Sequence, residues 1–188
     1  MTSLNQTVFL YIHQFAGRYA VLDYLGIFLA QYLAYFMVAA FLVLAYYQLG
    51  WRRKVYVFCE GAIAVMLSRG LVVEFIRLFY HHVRPFSFYN FTPLIQEAGW
   101  SFPSGHAAWF FALSLTVWYA NRKWGWWFLA LSTLMGIARI YVGVHWPLDV
   151  VGGAVVGLLS AWFVHWLLEG SREVLYRREE PQPHAVAG

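Results

Sequence analysis

The sequence predicts an all-α protein, a polytopic membrane helix bundle with about five transmembrane helices plus an N-terminal interfacial helix, six helices in all. Three observations predict it. Hydrophobic residues make up 61% of the 188 positions and charged residues only 12%, where soluble domains run near about 45–50% and about 25%. Aromatic residues reach 21%, with 10 Trp, matching the gathering of Trp and Tyr at membrane–water interfaces. Five long apolar stretches run along the chain, divided by short polar breaks whose cations are not evenly shared. A soluble sphere of this size could not hide so much apolar surface, so an ordinary soluble globule is excluded. The single cysteine, Cys59, lies inside an apolar run, which excludes an intrachain disulfide framework and a Cys-built zinc site. The net charge of +4 would suggest nucleic acid in a soluble protein; here the placement of the cations points to a membrane instead.

The elements follow in order. Met1–Gln14 lacks the basic start and small-residue cleavage site of a removable signal peptide. Leu4–Phe15 reads as a short helix with Leu4, Val8, Tyr11, Ile12 and Phe15 on one side. It is too short for a bilayer core, which takes about 20 residues, so an interfacial position is expected. Leu25–Tyr47 is a nearly uninterrupted span with Gln31 as its main polar residue. Val55–Phe79 is long enough to span yet carries Glu60, Arg69, Glu74 and Arg77. Ser104–Ala120, Trp124–Val142 and Leu148–Leu168 complete the set.

The breaks Trp51–Lys54 and Asn121–Lys123 hold five of the thirteen cations, and Arg172, Arg177 and Arg178 follow Leu168. By the positive-inside rule these segments are cytoplasmic. Alternating spans place all of them on one side. The other side, periplasmic or extracellular, receives the N-terminus, the Tyr80–Pro103 loop and the Val144–Pro147 turn. Residues 1–168 are expected to form a single membrane domain, and 169–188 a disordered cytoplasmic tail, because its charges and prolines disfavour a packed core. Gly153-x-x-x-Gly157 suits close helix packing within the chain.

Subtracting the cytoplasmic cations leaves Arg77, Arg84, Ser104, His106, Arg139, His145 and Asp149 at the outer ends of four spans. Ionisable groups at membrane depth are costly and mark functional cavities. Arg77 and Arg84 are seven residues apart, two helical turns and so one face, before Pro85 ends the helix or starts the loop. Converging guanidinium forks suit an anion with several oxygens, phosphate above all. Pro103-Ser104-Gly105-His106 reads as a helix start with Ser104 as N-cap. Its free N–H groups and dipole favour an anion, and Gly105 allows close backbone approach. Ser104 as a plain cap and His106 as a plain interfacial histidine remain open. Asp149, about one turn after His145, can orient one ring nitrogen and leave the other basic; a simple capping contact is the alternative.

The three segments together resemble the phosphatidic acid phosphatase type 2 (PAP2) superfamily, whose pattern is Lys-x6-Arg-Pro, Pro-Ser-Gly-His and Ser-Arg-x5-His-x3-Asp. Arg77 through Arg84-Pro85 matches the first motif with Arg77 in place of Lys, and Pro103 through His106 matches the second in full. Ala138-Arg139 through His145 and Asp149 matches the third with Ala138 in place of Ser. The resemblance covers roughly residues 55–168. It implies phosphoryl transfer without metal or cofactor. Arg77, Arg84, Arg139, Ser104 and the Gly105 N–H would hold phosphate, His145 would be the nucleophile stabilised by Asp149, and His106 the acid. The compact chain also resembles bacterial undecaprenyl pyrophosphate phosphatases of the bacitracin-resistance type. That implies a lipid diphosphate partner at the outer face of a bacterial inner membrane and no nucleic acid. Phosphatidylglycerophosphate, phosphatidate and lipid A 1-phosphate are the alternative substrates, and a non-catalytic lipid-phosphate binder or transporter is the alternative class. The aromatic loop Phe86–Phe91 either borders a lipid path or anchors the interface.

Overall fold

The structure, a computed structural model, describes residues 3–177, with side chains described through residue 170. Among the described residues every regular element is helical. Helix α1 is Ser3–His13 and α2 is Ala20–Tyr46, with a π turn at Phe28–Tyr32. Helix α3 runs as Trp51–Val65, a π turn Met66–Val72 and Val73–Phe79. Then come the short α4, Pro85–Tyr89, and α5, Gly105–Ala120, followed by α6, Arg122–Tyr141, and α7, Pro147–Arg177. Ala20–Tyr46 and Pro147–Gly170 are long and apolar enough to cross a bilayer by length and composition. Helix α5 falls short of the same measure because it has only 16 residues.

Each boundary has a local cause. Gly50 at φ 79° makes the left-handed turn between α2 and α3. Asn121 ends α5 and caps α6, accepting the Trp124 N–H at 3.2 Å. Gly143 at φ 88° closes α6 in a Schellman arrangement: the Val144 N–H reaches the Arg139 carbonyl and the Gly143 N–H the Ile140 carbonyl. Helix α7 then starts at Pro147, where a missing N–H is harmless.

Helix α5 lies at the centre, packed chiefly on α7 and α6. The glycine pair of α7 explains the close approach. A Cβ on Gly153 would meet the Ala107 Cβ at 2.9 Å, and one on Gly157 would meet the Ala112 N at 2.9 Å. The small-residue pattern therefore serves packing within the chain. Met37, Phe41, Tyr56, Phe110, Leu113, Phe128 and Met135 fill the core between α2, α3, α5 and α6.

Three expectations change. Arg77 and Arg84 do not share a helix face. Helix α3 ends at Phe79, Tyr80 is extended (φ −121°, ψ 99°), and Arg84, as the residue before a proline, is extended too (φ −72°, ψ 154°). Pro85 starts the separate helix α4, a seventh helix beyond the six expected. Helix α7 continues through Arg177 rather than giving way at Leu168, and residues 178–188, where the rest of the expected tail falls, lie outside the described residues. The apolar stripe of α1 faces outward: Leu4, Val8, Tyr11 and Phe15 are exposed while Asn5 and Phe9 are buried. The Asn5 side chain accepts the Leu148 N–H at 3.0 Å and Phe9 packs on Trp146 at 5.1 Å, which ties α1 to the start of α7.

Candidate active site

His145 hangs in the turn between the Schellman stop of α6 and the proline start of α7, so backbone geometry at both sides fixes it. It is 1% exposed. Its Nδ1 lies 3.6 Å from Asp149 Oδ2 and 3.5 Å from Ser101 Oγ. Its Nε2 faces the Arg84 guanidinium at 3.4 Å. Asp149 makes the capping contact and also faces the His145 ring. Oδ2 accepts the Trp146 N–H at 2.8 Å, the capping contact, and also accepts a hydrogen bond from the Ser101 hydroxyl. Oδ1 pairs with His82 Nδ1 at 3.1 Å. A carboxylate held this way on the Nδ1 side leaves Nε2 as the ring nitrogen that can act on a substrate.

Arg84 is 4% exposed and largely committed to backbone. Its Nε donates to the Gly99 carbonyl at 2.9 Å, Nη1 to the Val144 carbonyl at 2.9 Å and Nη2 to the Ala98 carbonyl at 3.0 Å. It thus stitches the outer loop to the His145 turn. Arg139, 2% exposed, pairs with Glu97 through Nη2 and donates from Nη1 to the Ala30 carbonyl at 3.4 Å. That carbonyl lies in the π turn of α2, where widened pairing leaves backbone groups able to take outside partners. The Nε atoms of Arg139 and Arg77 are buried and have no hydrogen-bond partner among the described residues. Two orphaned guanidinium donors in a dry site are costly unless an acceptor arrives.

Ser104 is fully buried and accepts the Ala107 N–H at 3.5 Å, so it caps α5 as expected. Its own N–H donates to the Asp149 carbonyl at 2.9 Å, which locks the start of α5 to the start of α7. His106 follows in the first turn with its side chain 35% exposed and Nδ1 3.8 Å from Glu97 Oε1. Arg77 stands to one side, donating from Nη2 to the Pro103 carbonyl at 3.0 Å, with Nη1 3.4 Å from Glu74.

Glu97, His82 and Ser101 join the site without having been singled out from the sequence. Glu97 is the notable one: a single carboxylate touching Arg139, Arg84 (3.6 Å) and His106 (3.8 Å). The signal was available, because Glu97 is the only acidic residue in the Tyr80–Pro103 loop. Burial alone would raise its pKa, but the charge and hydrogen bond of Arg139, helped by His106 and Arg84, hold it below the usual carboxylate range. Burial pushes the His145 imidazole down to about 4, with Arg139 and Arg84 adding to the shift and Asp149 opposing it. The ring is therefore neutral at pH 7, as a nucleophile must be. Burial also lowers Arg84, to about 10, which leaves it charged.

A cavity of about 300 Å³ opens beside this cluster. Glu97, His106 and Arg139 form its polar end, and Val38 and Trp109 its apolar end. Val38 and Trp109 also line an apolar groove between α2 and α3 that continues past Leu42 and Phe58. The cavity and the apolar groove therefore share two side chains.

Known proteins resemble this chain in sequence and in fold. The PAP2 superfamily matches residues 60–173. The bacitracin transport permease protein BcrC of Bacillus licheniformis is 34% identical over 167 residues, covering 88% of this chain and 81% of that protein. The undecaprenyl-diphosphatase BcrC of Bacillus subtilis is 33% identical over 159 residues, covering 83% and 80%. Among solved structures, Aquifex aeolicus LpxE superposes with a TM-score of 0.72 at 26% identity, covering 87% of this chain and 95% of that one.

Proposed function

The chain belongs to the PAP2 superfamily of phosphatases, and from that premise we propose that it hydrolyses undecaprenyl diphosphate to undecaprenyl phosphate at the outer face of a bacterial inner membrane. The observation that carries this reading is the junction of the Glu97–His106–Arg139 cavity with the apolar groove through Val38 and Trp109. A phosphate group and a long hydrocarbon tail can occupy one molecule's worth of space there. In the proposed arrangement about five spans cross the bilayer, the cationic breaks lie in the cytoplasm, and the site opens outward.

Phosphoryl transfer depends on positioning and on spreading charge over the phosphoryl oxygens. The orphaned N–H groups of Arg77 and Arg139, with the Gly105 N–H at the start of α5, would supply that spread without a metal. Arg84 holds the His145 turn and presents Nη1 beside Nε2. His145 Nε2 attacks phosphorus, and a phosphohistidine forms as the bond to the leaving oxygen breaks. His106 gives that oxygen its proton, and Asp149 stabilises the charged ring. Water then attacks the phosphohistidine and gives a proton back to His106, the Nε2–phosphorus bond breaks with its electron pair returning to Nε2, and phosphate is released.

The relative named as a transport permease keeps a second class in view, binding or transport without hydrolysis. The Asp149–His145 pair, with Nε2 beside the Arg84 guanidinium, supports chemistry, since binding alone has no use for an oriented nucleophile. Purified protein in detergent, assayed head to head on undecaprenyl diphosphate, phosphatidylglycerophosphate, phosphatidate and lipid A 1-phosphate, tests the substrate. Release is expected fastest from the diphosphate, unchanged by EDTA and lost in His145→Ala. Absence of release from every lipid phosphate would overturn the reading. A reporter fused after residue 177 is expected in the cytoplasm.

A further inference from the structure

Beside the cluster around His145, a second pair of guanidiniums lies against the start of α5. Arg69 projects from the π turn of α3 and lays its side chain over Gly105, where a Cβ would meet its Cζ at 3.1 Å. Only glycine leaves room for that guanidinium directly next to His106. Glu74 Oε1 pairs with Arg69 Nη1 and lies 3.4 Å from Arg77 Nη1, so one carboxylate oxygen joins the two cations. Arg77 is anchored to the Pro103 carbonyl at 3.0 Å and keeps a buried Nε without a partner among the described residues. The pair carries one net positive charge after Glu74.

The two clusters differ in access. Arg84 and Arg139 have side chains 3% and 2% exposed, whereas Arg69 is 40% exposed and Glu74 50%. A cation at membrane depth is costly and needs a reason. Packing does not supply one for Arg69, since its head is open. Its position does: its side chain lies against Gly105, next to the residue proposed to serve the leaving oxygen.

We propose that Arg69, beside Arg77, forms a second phosphate subsite, which holds the lipid-proximal phosphate of a prenyl diphosphate while the terminal phosphate lies at His145 within reach of Arg77. This rests on the reading of the His145 site given above. When Nε2 bonds to the terminal phosphorus, the bond from that phosphorus to the bridging oxygen breaks. The electron pair stays on the bridging oxygen, which becomes an oxygen of the departing prenyl monophosphate. Negative charge grows on the leaving phosphate at that moment, and a fixed guanidinium there stabilises the transition state more than the bound substrate. A prenyl monophosphate places only carbon beyond its leaving oxygen, so Arg69 has nothing to hold. Arg69 is thereby a determinant of diphosphate over monophosphate, and Glu74 occupies the subsite between turnovers.

The test measures phosphate release by the full-length protein in detergent from farnesyl diphosphate and farnesyl monophosphate. Arg69→Met is expected to lower kcat/KM about 30-fold for the diphosphate, the loss of one charge-assisted contact, and to change the monophosphate value less than about 3-fold. Arg69→Lys is expected to recover most of the loss. Glu74→Gln separates a subsite from a structural ion pair: it frees both arginines, so the diphosphate value is expected to hold or rise. Equal loss on both substrates, an unmoved diphosphate value, or a Glu74→Gln variant that falls in parallel with Arg69→Met overturns the subsite. Wild-type protein that releases phosphate from neither substrate overturns the phosphatase reading instead, so the two failures are distinct.

Discussion

Two carboxylate–imidazole pairs stand along α7, one at its start and one past its middle, in different surroundings. At the start of the helix, Asp149 and His145 lie 3.6 Å apart, surrounded by Arg84, Arg139 and the cavity that Glu97 and His106 line. Sixteen residues on from Asp149, roughly 24 Å along the axis, His165 Nδ1 meets Glu60 Oε1 at 2.6 Å. That second pair is covered by Tyr119, whose ring stacks on His165 at 3.6 Å and 9°. The pair types match, but the surroundings do not. At the first pair, converging guanidiniums can receive an anion, and a neutral ring nitrogen faces them. At the second, an aromatic lid covers the imidazole, and the pair cross-links α3 to α7. A histidine and a carboxylate become a nucleophile and its orienter only where a place for the reacting group adjoins them.

The sharpest way to break this comparison is to remove each histidine in turn. His145→Ala is expected to lower kcat by about 10⁴-fold or more, because the attacking nitrogen is gone. His165→Ala is expected to keep kcat/KM within about 2-fold while lowering the thermal midpoint, since it leaves Glu60 deprived of its imidazole. Phosphate release and thermal unfolding in the same detergent read both. An inactive but fully stable His165→Ala protein would show that the distal pair takes part in the chemistry.

Asp149→Asn comes next in size. The amide keeps the shape but loses the charge that would stabilise a phosphorylated ring in the proposed mechanism, and it disturbs the Ser101, His82 and Trp146 contacts together. A loss of kcat on the order of 10²–10³-fold is expected, with KM little changed. A rise in KM with kcat intact would make Asp149 a helix cap alone.

Much of the bundle and part of the site were legible in the chain. The apolar stretches marked the helices because burial against lipid or core demands continuous apolar runs. Pro103–His106 and Arg139–Asp149 were legible because each is local, set by a cap, a glycine stop or a proline start. Long-range contacts were not. Glu97 reaches Arg139 across 42 residues and His82 reaches Asp149 across 67, and no spacing rule encodes such pairs. The supposed helical link between Arg77 and Arg84 failed because the residue before Pro85 avoids helical geometry and α3 stops at Phe79. The π turns under Arg69 and Ala30 have no composition signature, yet they place one guanidinium and one of the carbonyls that hold another.

The smallest expected effect is also the one that isolates burial. Desolvation first, then the charges of Arg139 and Arg84, hold the His145 pKa near 4 against the pull of Asp149, where a free imidazole titrates at about 6.5. The shift is downward, so the neutral, attacking form persists as the pH falls and is lost only below the shifted value. The acid limb of kcat/KM that belongs to His145 is therefore expected near pH 4, with the rate falling about tenfold per unit below it. Arg84→Lys keeps a positive charge but cannot reproduce the fork that ties the Gly99, Ala98 and Val144 carbonyls together. Loosening that stitch admits water to the ring, and the limb is expected to move upward toward the free value. A limb already near pH 6.5 in the wild-type protein would mean that His145 is solvated, and the contrast with the lidded His165 would rest on the guanidiniums alone.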